Sequence, residues 1–184
     1  MNIKQLQNLI DKAIDTQPPQ ALEEYCNPHY EPYYHLMYLL AKNLKGQLAV
    51  ELGVETGRAS TALALGGMNV VGIDHTRHDK ISNVIGAYPN FIFAEADSMP
   101  IPDIVKGKNI ALLHIDTEHT YPQAKEEFNA YKPFLIDKAI VLFDDLHAME
   151  DEVLRFFEEL PYEKIQDDRL HSPCGYGVMI YDKD

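Results

Sequence analysis

The chain has no tryptophan and only two cysteines, Cys26 and Cys174, in 184 residues. The two thiols are far apart and lack C-x-x-C spacing, which argues against a disulfide framework or a structural zinc site. Basic residues are also scarce. Sixteen Lys and Arg stand against 29 Asp and Glu, for a formal net charge of -13. Binding to a phosphate backbone depends on clustered Lys and Arg, so no nucleic-acid partner is expected. No apolar run approaches the ~20 residues of a membrane span, so no membrane partner is expected either. The N-terminal segment MNIKQLQNLIDK is charged and amphipathic rather than signal-like, which predicts a cytoplasmic protein. Internal repeats, low-complexity tracts and Gly/Ser-rich linkers are missing as well.

What is present is enough hydrophobic residue, 46% of the chain, for one buried core. Residues 1–46 read as a helical lead of the same domain. Ile3, Leu6, Ile10 and Ala13 recur at helical spacing until Gln17-Pro18-Pro19 interrupts them. A second helix starts near Pro32 and carries Leu36, Leu39, Leu40 and Leu44 before Gly46. Between the two lies YCNPHYEPYYH. Its Tyr25, Tyr30, Tyr33, Tyr34, His29 and His35 either form a lid over a substrate or pack the loop onto the core.

Residues 47–184 change period. Apolar runs at 48–52, 69–73, 91–94, 110–115 and 139–143 read as buried parallel strands separated by crossover helices. One helix carries Tyr121, Ala124, Phe128, Tyr131 and Leu135 on its core stripe, another Met149, Val153, Phe156 and Leu160. GYGVMIYD reads as a terminal strand. The expected fold is α/β: a single Rossmann-like, doubly wound, mostly parallel sheet with a terminal antiparallel strand and an N-terminal helical extension.

The most informative stretch is LAVELGVETG. An apolar strand ends in Glu51 and Gly53, and Gly57 opens a helix, so bare backbone amides and a helix N-terminus meet at a favourable place for an anionic group. Asp74 closes the next strand, where a carboxylate can accept hydrogen bonds from a ribose diol. Together they suggest an adenosine-type ligand, although glycines also serve ordinary strand-to-helix turns. Strand four, IALLHID, ends in Asp116 with His119 three residues on. Strand five, AIVLFDD, ends in Asp144 and Asp145 with His147 beyond. In an open sheet all these positions share the ligand-binding edge. Clustered carboxylates imply a raised pKa, a basic partner or a cation, and no Lys or Arg lies within these motifs. Asp116, Asp144 and Asp145 suit a hard divalent ion, magnesium first and calcium or manganese as alternatives. Helix capping by Asp144 and Asp145 is the structural alternative. His114, mid-strand, reads as a satisfied core histidine. His75 and His78 read as surface or ligand-edge residues.

The order ELGVETGRAS, GID, AEADS, HIDTEHTY and LFDDLH resembles class I S-adenosylmethionine-dependent methyltransferases. Within that class it is most similar to the metal-dependent group that includes macrolide sugar O-methyltransferases and cephalosporin-hydroxylase-type proteins. The resemblance spans 47–184 and is carried by the order of the motifs. It implies that Glu51, Gly53, Thr56 and Gly57 line the methionine end of the cofactor. It places Asp74 at the ribose and Asp97 and Ser98 at the adenine. Asp116 would stand between cofactor and acceptor, sharing a magnesium ion with Asp144 and Asp145. His119 or Asp116 would be the catalytic base for O-methylation of a small hydroxylated molecule. Glu55 replaces the middle glycine of the usual turn, which predicts a differently shaped loop. Two alternatives remain open at this level: a noncatalytic S-adenosylmethionine-binding accessory protein and an NAD-dependent oxidoreductase. The acceptor and the oligomeric state, a homo-oligomer included, are not read from the sequence.

Overall fold

A computed structural model describes residues 1–183. The lead forms three helices: α1 (Ile3–Asp15), α2 (Gln20–Cys26) and α3 (Pro32–Asn43). A reciprocal cap starts α1, in which the Asn2 side chain accepts from the Gln5 amide and the Gln5 side chain accepts from the Asn2 amide, both at 3.0 Å. Leu6, Ile10 and Ala13 form its buried stripe, as their spacing predicts. α2 was not expected from the sequence. It is one short segment set between Pro19 and the Asn27–Pro28 bond, and only Leu22 and Cys26 are buried on it.

The body alternates β1 (Leu48–Leu52), α4 (Arg58–Gly66), β2 (Asn69–Asp74), α5 (Ile81–Ala87), β3 (Phe91–Glu95), β4 (Ile110–Ile115), α6 (Tyr121–Tyr131), β5 (Leu135–Phe143), α7 (Glu152–Glu159), β6 (Glu163–Gln166) and β7 (Gly177–Tyr181). The sheet order is β3-β2-β1-β4-β5-β7-β6. Strands β1 to β5 are parallel, and β7 and β6 complete the edge antiparallel. The expected doubly wound sheet is therefore present, with two antiparallel strands where one was expected.

Alternation along the strands sends side chains to two cores. Ala49, Val70, Leu112, Ile140 and Leu142 face α1 to α5, while Val50, Leu52, Leu113, Val141 and Phe143 face α6 and α7. Two helix readings need correction. A 3-10 turn over Lys132–Phe134 ends α6 early, so Leu135 is the first residue of β5 rather than part of the helical stripe. Met149 is 61% exposed rather than core, because α7 begins only at Glu152, after a left-handed Asp151. Among the described residues no helix is long and apolar enough to cross a membrane.

The strand order reverses between β1 and β4, and the crevice opens at their carboxyl ends. Ladder bonds place the next residues side by side there. The Asp116 amide donates to Leu52 O at 2.9 Å, the Asp144 amide to Ile115 O at 3.1 Å, and the Gly53 amide to Ile73 O at 2.9 Å.

Candidate active site

A cleft of about 850 Å³ lies along this edge. Its lining includes Glu51, Gly53, Thr56, Asp74, Asp97, Ser98, Asp116, His119, Asp144 and Asp145. Of the residues assigned from the sequence to cofactor, metal or catalysis, only Gly57 falls outside that lining, and it sets the turn rather than the wall.

The first wall is the β1–α4 turn. Gly53 and Gly57 both have φ of +82°, and Glu55, in the place of a third glycine, is also left-handed at +47°. The turn is thus built without the middle glycine, with Glu55 itself in the left-handed region. Asp74 is tied into the turn: its Oδ2 accepts from the Val54 and Glu55 amides at 2.9 Å each, and its Oδ1 from the Thr76 amide at 2.9 Å. It fixes the turn from the neighbouring strand. Below, Glu51 is 1% exposed and accepts a short hydrogen bond from the Ser60 hydroxyl on α4. Tyr25 closes the outside of the turn by donating to Thr56 O at 2.9 Å.

The second wall centres on Ser98. Glu127 of α6 is fully buried and accepts from Ser98 Oγ at 2.6 Å, Thr117 Oγ1 at 2.9 Å and Gln123 Nε2 at 2.8 Å. Tyr131 holds the Ser98 carbonyl at 3.0 Å. Because the Gln123 amide nitrogen is spent on Glu127, its orientation is set by α6 rather than by solvent. Burial outweighs these donors and holds the Glu127 carboxyl above its usual pKa. Glu127 and Gln123 were not singled out from the sequence; the available signal was a charged residue on the apolar stripe of α6. Glu127→Ala should leave three donors unpaired and loosen this wall. The expected result is a loss of about 2 kcal/mol in stability, read by urea unfolding. Cofactor affinity, read by calorimetry, should fall with it.

The third wall holds the acids. His119 Nε2 lies 3.0 Å from Asp116 Oδ1, and its Nδ1 lies 3.4 Å from Asp145 Oδ2. His171, from the β6–β7 loop, donates to Asp144 Oδ1 at 2.8 Å and sits 3.4 Å from Asp145 Oδ1. The carboxylates therefore have basic partners, but these are imidazoles, and His171 arrives from a distant loop that no local motif marks. Asp116 and Asp144 come together with His114, one ligand atom of each within 4.8 Å of the others; Asp145 groups instead with His171 and Cys174. The three aspartates thus do not form one compact triple. His114 also departs from expectation: it is fully buried, yet neither ring nitrogen has a hydrogen-bond partner among the described residues.

Electrostatics follow from this crowding. Burial and the Asp144 charge push the Asp116 carboxyl up to about 6. Burial opposes ionisation of Asp144 too, but the His171 hydrogen bond and the nearby His114 outweigh it and leave its pKa lowered. Burial likewise disfavours a charged His119, while the hydrogen bond to Asp116 and the charges of Asp116 and Asp145 override it and raise its pKa.

An aromatic wall completes the cleft. Tyr33 stacks on Tyr176 at 4.7 Å between ring centroids and lies 5.0 Å from the His171 ring. Tyr33 and Tyr34 are both buried, so this part of the aromatic segment packs as a fixed wall. His147 turns out of the site to Asp151 and Asp168, at 2.7 and 3.2 Å. His75 is exposed beside Asp74.

A reversal of strand order at β1/β4, a glycine turn leading into a helix and an acid ending β2 define a class I S-adenosylmethionine-dependent methyltransferase fold. Residues 50–146 match the family described as a methyltransferase domain, and the chain belongs to that family. Among solved structures, it is similar to the O-methyltransferase TomG from Streptomyces achromogenes, involved in tomaymycin synthesis and solved with SAM. That pair shares a TM-score of 0.71 and 17% identity, covering 100% of both chains. A methyltransferase from Geobacter sulfurreducens gives 0.69 and 17% over 96% of each chain. An O-methyltransferase from Bacillus cereus, solved with SAH, gives 0.64 and 15% over 98% of this chain and 92% of that one. At these identities the likeness is one of fold. No curated protein matches the sequence.

Proposed function

We propose that the protein transfers the methyl group of S-adenosylmethionine to a hydroxyl oxygen of a small molecule, assisted by a divalent cation. The observation that carries this reading is that the Gly53–Gly57 turn and the acids Asp116 and Asp144 open into one cleft. The cofactor's methionine end would lie against the turn amides. Glu51 would face its amino group, and Arg58, in the first turn of α4 and lining the cleft, would face its carboxylate. The acceptor edges of Ser98 and Gln123 would meet the adenine amine, with Asp97 beside them. Asp74 would use its remaining lone pairs on the ribose. TomG and the Bacillus cereus O-methyltransferase, solved with SAM and SAH, support this assignment of ligand.

Asp116 and Asp144 fit a cation, because a partly buried and a buried carboxylate held side by side are favoured by positive charge near them. Asp116 and Asp144 would hold it, with Asp145, on the adjoining residue, outside their compact group. When bound, a hard divalent ion lowers the pKa of an alcohol and fixes its direction. The chain's own residues supply the rest. The sulfonium already activates the methyl, so catalysis consists chiefly of holding the acceptor oxygen in line behind it, away from water. As the oxygen–carbon bond forms, the carbon–sulfur pair returns to sulfur. The hydroxyl proton passes to His119. With Nε2–H donated to Asp116, the neutral ring keeps a lone pair on Nδ1, and Asp145 at 3.4 Å stabilises the imidazolium that results. The Tyr33 wall would bind the body of the acceptor. The net charge of -13 supports a small acceptor over a nucleic acid.

The test combines calorimetry with S-adenosylhomocysteine and transfer of labelled methyl to a panel of phenols, catechols and sugars. Binding together with transfer that stops in excess chelator is expected. Binding with no transfer to any acceptor would point to an accessory protein. Undiminished transfer in chelator would remove the cation.

A further inference from the structure

The sheet face that carries Glu51 is hydrocarbon along most of its length, and one residue of it is out of place. His114, near the carboxyl end of β4, is fully buried with the Tyr176 ring 6.2 Å away between centroids, paired in register with Glu51 on one side and Leu142 on the other. Glu51 Oε1 lies 3.5 Å from Nδ1 without hydrogen-bond alignment, and both ring nitrogens are unpartnered among the described residues. The loose contact with Glu51 and the nearby carboxylates favour the ring electrostatically but give neither nitrogen an aligned hydrogen bond, so such a group points to something that completes it.

The strand's period places Asp116 on the same face as His114, two residues on. Asp144 stands beside it at the end of β5. A nitrogen of His114 and an oxygen of each carboxylate lie within 4.8 Å of one another. Donors around an ion with bonds of ~2.1 Å stand ~3 Å apart when adjacent and ~4.2 Å when opposite, so a group bounded at 4.8 Å closes on one with side-chain shifts of at most about 0.6 Å at its widest pair. The hydrogen bonds from His119 and His171 both fall on Oδ1 of their carboxylates and orient them, the arrangement that usually backs metal-binding groups.

We infer that His114 is a direct ligand of the cation site together with Asp116 and Asp144, and that its nitrogen makes the site select a first-row transition cation such as manganese or cobalt over magnesium. The inference rests on the cation reading above and changes its donor set. Asp145, engaged by His119 and His171, serves those two rings rather than the ion. Imidazole is a poor ligand for magnesium and a good one for later divalent ions, so one nitrogen and two carboxylates invert the preference expected of three aspartates.

Chelator-stripped full-length protein is titrated by calorimetry with manganese, cobalt and magnesium separately, and the manganese-loaded form is examined by electron spin-echo spectroscopy. The expected result is binding of manganese or cobalt at least about tenfold tighter than magnesium, with nitrogen modulation in the echo. The modulation should persist in His119→Gln and vanish in His114→Leu, which keeps an apolar side chain in the buried position. Equal affinities, an echo without nitrogen, or modulation that survives His114→Leu would overturn the inference. Should His114→Leu fail to fold, the wild type and His119→Gln still decide it. S-adenosylhomocysteine binding is measured on the same samples: if it occurs without any cation binding, the cation reading and this inference fall together while the methyltransferase reading stands; if cations bind alike with no nitrogen modulation, this inference alone falls; and if S-adenosylhomocysteine does not bind, the methyltransferase reading falls first.

Discussion

Gly53→Ala destabilises the protein by about 3 kcal/mol or more and abolishes cofactor binding. A Cβ at this position would lie 1.7 Å from the Asp116 carbonyl oxygen and 2.7 Å from its carbon. Neither atom can rotate away, because Asp116 is anchored to β1 by the hydrogen bond its amide donates to Leu52 O. Relief requires β1 and β4 to part at the point where the cleft opens. The left-handed φ of +82° adds ~1–2 kcal/mol for any residue with a side chain. Gly57→Ala is the informative comparison. It shares the same φ, but its Cβ would meet Val84 Cγ2 at 2.9 Å and Ile81 Cδ1 at 3.1 Å, the ends of side chains that can shift. Its loss should be limited to ~1–2 kcal/mol, with cofactor still bound. Urea unfolding and calorimetry with S-adenosylhomocysteine on the two variants separate a clash with backbone from simple dihedral strain.

The parts of the fold legible in the sequence are those where burial on both faces leaves an uninterrupted apolar run. β1, β2, β4 and the inner half of β5 are of this kind, and their terminal acids mark the cleft edge. β6, EKIQ, escaped because a short edge strand has no buried face to write into its composition. α2 escaped for a similar reason, being a seven-residue helix with two buried side chains. Met149 shows the opposite error, in which apolar spacing extends back beyond the left-handed residues 149–151 that precede the start of the helix. In the site, glycines and strand-end acids were legible because their roles follow from local backbone. Partners were not. The burial of His114 follows from its strand, but its want of a hydrogen-bond partner depends on three other strands and loops. His171 reaches Asp144 across 27 positions of sequence. The idea that the acids lack basic neighbours held only along the chain, and folding supplies the imidazoles.

Asp116→Asn lowers methyl transfer by about a thousandfold while leaving S-adenosylhomocysteine affinity within about threefold. The amide keeps the shape of the side chain, so the cleft stays formed, but the charge that orients His119 and attracts a cation is gone. Stability should move the other way. The Asp116 carboxyl is held at about 6, above its ordinary 3.8, by burial and by Asp144. A carboxyl whose pKa is raised on folding binds more protons in the native state than in the unfolded chain across that window, so chelator-treated wild type loses stability as pH climbs from 3.8 to 6. Asp116→Asn has no such proton to lose, and at neutral pH it should unfold at a higher urea concentration than wild type. An acid kept for structure would lose stability with its charge, whereas one kept for chemistry gives up turnover and gains stability. Parallel measurement of turnover and urea midpoint on one variant therefore assigns the role of this carboxylate, and a fall in both would remove Asp116 from the catalytic set.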